Sequence, residues 1–96
     1  MIALFEAHQL ADVLTRAAPE IAKLDCTRVT RVAIEHIMRD VAGDWALSQA
    51  ALAAMAAHLD KVGGDSAWVV SCSGSIARGE AVRQMRATAR GLAVAR

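Results

Sequence analysis

Apolar residues recur along this chain at helical spacing. Leu10, Val13, Leu14 and Ala17 fall at i, i+3, i+4 and i+7, which predicts a first amphipathic helix. Pro19 lacks the backbone N–H that a helix interior requires. It therefore either ends that helix or occupies the first turn of the next, and residues 18–20 are the first expected joint. A second stripe follows, with Thr30, Ala33, Ile34, Ile37 and Val41 on one face, widened by Val29 and Val32. Asp25 or Thr27 stands where a cap is needed, and Gly43 where the helix must stop. Arg28, Arg31, Glu35 and Arg39 gather on the opposite face, where Glu35 lies four residues from both Arg31 and Arg39.

The third helix is capped by Asp44 or Ser48, carries its stripe on Leu52, Met55, Leu59 and Val62, and stops at Gly63-Gly64. Alanines at 50, 53, 54, 56 and 57 leave it small on most sides, so a neighbour could approach closely. Residues 67–72 break the helical period. Trp68, Val70 and Cys72 alternate with Val69 and Ser71, as in a short strand. One strand cannot satisfy its own backbone, so this segment needs an edge, a second chain, or a non-strand conformation packed on the helices. Ser73-Gly74-Ser75 then turns the chain into a last helix from about 76 to 95. Its stripe is Val82, Met85, Ala89, Leu92 and Ala93, and Arg83, Arg86 and Arg90 line one flank. The pattern predicts an all-α fold over residues 1–96: a single domain, a small four-helix bundle with an irregular or β-like segment near 67–72.

Length and composition narrow this further. A chain of 96 residues has room for one modest core and excludes folds of about 200 residues such as the β/α barrel. Hydrophobic residues make up 55% and aromatic residues only 3%, so the core must be built from aliphatic and small side chains. In so small a domain, a positive mean hydropathy implies apolar surface left over for an interface. Trp45 and Trp68 are the natural anchors for one. The longest apolar run, 50–57, is far short of the ~20 residues a membrane span needs. The N-terminal residues lack the basic start of a secretory signal. Cys26 and Cys72 form no disulfide framework, and the expected setting is a reducing cytoplasm.

The net charge of +1 conceals an asymmetry. Residues 1–60 carry five basic and eight acidic side chains, whereas residues 61–96 carry six basic and two acidic. Arg78, Arg83, Arg86 and Arg90 therefore become candidate nucleic-acid or anion contacts. The same stretch holds Cys72-Ser73-Gly74-Ser75-Ile76-Ala77-Arg78, a C-x-G-x-x-x-R run between a β-like segment and a helix. It resembles the phosphate-binding loop of low-molecular-weight tyrosine phosphatases and related arsenate reductases. That resemblance would make Cys72 a nucleophile and Arg78 an anion clamp. It covers seven residues, and Gly79 stands where those enzymes usually carry a hydroxyl side chain.

His8 with Asp12, and His36 with Asp40, have the i, i+4 spacing of paired metal ligands, but a stable site usually needs three or four. His58 closes the alanine run beside Leu59, as a border residue. No H-E-x-x-H, C-x-x-C or defensible nucleophilic triad is present. The expectation is a non-enzymatic protein without cofactor or metal. It is read as a protein-binding module, a homo-oligomeric regulator or inhibitor of a larger complex, using Trp45, Trp68, Arg28, Arg31 and Arg39. The alternative is a nucleic-acid-binding regulator that uses the C-terminal arginines.

Overall fold

A computed structural model describes residues 5–64, 66–70 and 74–94. Its elements in order are α1 (Ala7–Ala22), β1 (Arg28–Thr30), α2 (Arg31–Ala42), α3 (Trp45–Lys61), α4 (Ala67–Val70), β2 (Ser75–Ala77) and α5 (Arg78–Val94). The molecule is mostly α: the described residues form four long helices, a single helical turn and one small two-stranded ribbon.

Pro19 does not end the first helix; it sits inside the last turn of α1. The helix continues because its apolar stripe continues, with Ala17, Ala18 and Ile21 completely buried. Burying an isoleucine contributes about 1.5–3 kcal/mol, comparable with the roughly 3 kcal/mol that an interior proline costs. α1 packs most extensively on α5. The two run antiparallel: Leu24, just past the end of α1, meets Arg78 at the start of α5, while His8 shares a groove with Arg90 and Ala93.

The second helix starts later than its stripe suggests. Thr30 caps it, its hydroxyl accepting from the Ala33 N–H at 3.2 Å. Residues 28–30 are instead a strand that pairs antiparallel with residues 75–77, in the register Arg28↔Ala77, Val29↔Ile76, Thr30↔Ser75. The described strands therefore lie here and not at 67–70. Three-residue strands are too short to be stable alone. Each runs without a break into a helix, and Val29 and Ile76 pack their side chains against the core. The Arg28 guanidinium donates to the Ser75 hydroxyl at 3.1 Å and its carbonyl at 3.0 Å, and the Arg78 N–H donates to the Thr27 carbonyl at 2.9 Å.

α2 ends at Gly43, whose φ of +69° only glycine adopts freely. Asp44 then starts α3, its carboxylate accepting from the Ala46 and Leu47 N–H groups at 2.7 and 3.3 Å. Ala51, Leu52, Met55 and Leu59 are buried as their spacing requires, but Val62 is the cap residue and lies 61% exposed. α5 approaches α3 closely at Gly91: a Cβ there would sit 3.1 Å from the His58 ring.

Ala67–Val70 is the helical turn α4, not a β-like segment. The turn buries Trp68, and its indole N–H donates to Gln84 Oε1 at 2.8 Å. Ser71 and Cys72, the rest of the expected strand, lie outside the described residues.

Candidate functional site

The two tryptophans part company. Trp68 is a core residue, 4% exposed, with its one polar atom satisfied by Gln84. Trp45 opens α3 and is 53% exposed. Only Trp45 therefore keeps the surface position that an interface anchor needs.

The arginines divide in the same way. Arg31 and Glu35 do not belong to a solvated outer face. Their side chains are 18% and 21% exposed and form an ion pair at 3.3 Å, and Gln49 of α3 donates to Glu35 at 3.1 Å. They form a polar joint between α2 and α3. Arg28 fastens the ribbon through Ser75. Arg39 is exposed, and no ion pair joins it to Glu35.

In the basic C-terminal helix, the Arg78 guanidinium donates to the Leu24 carbonyl. That contact ties the start of α5 to the end of α1. Arg83 is paired with Glu80, one turn back. Arg86 and Arg90 make no hydrogen bond or ion pair with any described residue. They stand beside a groove of about 540 Å³ between α1 and α5, lined from the α1 side by His8, Ala11, Asp12 and Thr15. Sequence spacing paired His8 with Asp12 as metal ligands; in three dimensions that pair faces two guanidinium groups. His8 also contacts Glu6 at 3.1 Å, and Asp12 accepts from Arg16 at 2.8 Å. Among the described residues no group of three His, Cys, Asp or Glu side chains could hold a metal ion. Cys72, the nucleophile implied by the phosphatase-like run, falls outside the described residues; Cys26 is an exposed free thiol in the loop before β1.

The third feature is α3 itself. From Trp45 to Leu59 it contains no Asp, Glu, Lys or Arg. Its inner side is core, yet Ala46, Ala53 and Ala57 face solvent, with Ala50 and Ala54 half-buried between them. Beyond Ala57 a second groove of about 440 Å³, formed by Ala54, Ala57, His58, Lys61, Val62, Gly91 and Leu92, runs between α3 and α5. Sequence spacing identified this helix as small on every side but could not show which half would be left uncovered. No described helix is long and apolar enough to cross a membrane.

Comparison with protein-family models, with curated proteins and with solved structures finds no match to this chain.

Proposed function

We propose that this chain is a small non-enzymatic protein-binding module whose docking surface is the outer face of α3, and that its partner is a second copy of the chain. One observation carries this reading. α3 carries no charged side chain over fifteen residues, from Trp45 to Leu59, yet Trp45, Ala46, Ala53 and Ala57 of that stretch face solvent. Trp45 at the start of that face supplies the one large exposed aromatic ring, the kind of side chain that dominates binding energy at interfaces. The alanines let a second helix approach closely, and an antiparallel α3 pair would be self-complementary, as a two-fold interface must be.

Light scattering on the purified chain, at concentrations up to about 1 mM, tests this. The expected mass is that of a dimer, falling to the monomer in Ala53→Lys and Ala57→Lys. Both residues are exposed, so neither substitution disturbs the core. A wild-type chain that stays monomeric throughout would sink the proposal. A parallel run with short duplex DNA covers nucleic-acid binding: a complex abolished by the triple change of Arg83, Arg86 and Arg90 to Glu would favour that function instead.

A further inference from the structure

We infer that the groove between α1 and α5 is a binding site for a small-molecule phosphate monoester, with Arg86 and Arg90 as its anion-binding pair. The site is distinct from the α3 face and does not depend on self-association.

The argument begins with which cations are already engaged. Arg16 pairs with Asp12, Lys23 with Glu20, Arg31 with Glu35 and Arg83 with Glu80, while Arg28 and Arg78 hold Ser75 and the Leu24 carbonyl. Arg39, Lys61, Arg86 and Arg90 have no ion pair or side-chain hydrogen bond among the described residues, and of these only Arg86 and Arg90 stand together at a groove. They lie one helical turn apart, about 6 Å along the axis, a like-charge spacing that weakens a helix unless an anion sits between the two groups. Both border a groove of about 540 Å³, within the size range of small-molecule pockets.

The groove exists because its floor is made of alanines. Ala11 on α1 and Ala89 and Ala93 on α5 are too small to fill the space where the two helices meet. Thr15 contributes a hydroxyl on the wall opposite the arginines, and His8 a ring nitrogen. The one carboxylate in the lining, Asp12, is held by Arg16 at 2.8 Å. The groove thus faces a ligand with two uncompensated guanidinium groups. Each can donate two parallel hydrogen bonds to phosphate oxygens, a geometry that favours Arg over Lys. No Phe, Tyr or Trp lines the groove. Its polar partners suit a phosphate and its alanine floor a short aliphatic or sugar body.

Calorimetric titration at fixed ionic strength provides the test, with inorganic phosphate, ribose 5-phosphate and ribose as probes. The phosphate and the phosphate ester should bind saturably and ribose should not. Arg86→Gln and Arg90→Gln should each weaken ribose 5-phosphate by about tenfold, since a charge-assisted bond is lost. Thr15→Val should weaken it less, and Arg39→Gln, also exposed but outside the groove, should leave it unchanged. The inference is overturned if ribose 5-phosphate shows no binding up to about 10 mM. It is equally overturned if Arg39→Gln weakens binding as much as the groove variants do. Retention of duplex DNA that falls equally with Arg83→Gln and Arg90→Gln would show a helix face tracking a nucleic-acid backbone, and would also overturn it.

Discussion

α3 and α5 are equal in length, 17 residues each, and they pack against one another. Their inner faces follow the same rule: aliphatic and methionine side chains are buried at helical spacing, Leu52, Met55 and Leu59 in one helix, Val82, Met85 and Ala89 in the other. Their outer faces do not. α5 presents Arg83, Arg86 and Arg90 to solvent, whereas α3 from Trp45 to Leu59 presents a tryptophan and alanines. The inner faces therefore say how the domain holds together, and the outer faces say where it meets something else. A charged exterior is stable in water without a partner. An exterior of alanines gains free energy when it is covered.

The largest effects should fall on the side the two helices share. Met55→Ala and Met85→Ala should each lower the unfolding free energy by about 2–5 kcal/mol, read from urea denaturation. A cost below about 1 kcal/mol in only one of them would show that the inner faces are not equivalent after all. A smaller loss should follow from Gln84→Leu, which leaves the buried indole N–H of Trp68 without an acceptor. It should cost about 1–3 kcal/mol, with the emission spectrum of the folded protein shifted as the Trp68 environment changes. Asp44→Ala removes a two-bond cap from α3 and should cost about 1 kcal/mol by the same assay. At the outer faces stability should scarcely move. Ala53→Lys and Arg86→Ala should both stay within about 0.5 kcal/mol of the parent at concentrations where the chain is monomeric. Only the first should abolish a concentration-dependent melting temperature, and a loss with both would erase the distinction between the faces.

Much of this arrangement is legible in the residues. Gly43 and Asp44 form a stop and a start side by side, and both operate as their chemistry requires. The stripe Val13, Leu14, Ala17 is buried where its period places it. Other features depend on partners distant in the chain. Arg28–Thr30 is a strand only because Ser75–Ala77 lies beside it, and three residues are too few to display an alternating period. Ala67–Val70 carries β-prone side chains, but a helical turn buries Trp68 against Gln84, and that packing overrides local propensity. Gln84 and Thr88 look like surface residues, yet both are buried, Thr88 returning its hydroxyl to the Gln84 carbonyl at 2.9 Å. The arginine run of α5 is plain in the chain. That Arg78 and Arg83 are engaged internally while Arg86 and Arg90 are not depends on Leu24, Glu80 and the lie of α1. Nothing in the spacing of His8 and Thr15 points to the arginines they face.

The most extensive helix contact joins α1 to α5, the earliest and the latest of the described elements. A ribosome makes α1 some 70 residues before the face that covers it, a delay of roughly 4–14 s at ordinary elongation rates. During that interval Val13, Leu14, Ala17 and Ile21 have no native cover on the α5 side. Native packing of α1 therefore waits until α5 has been made.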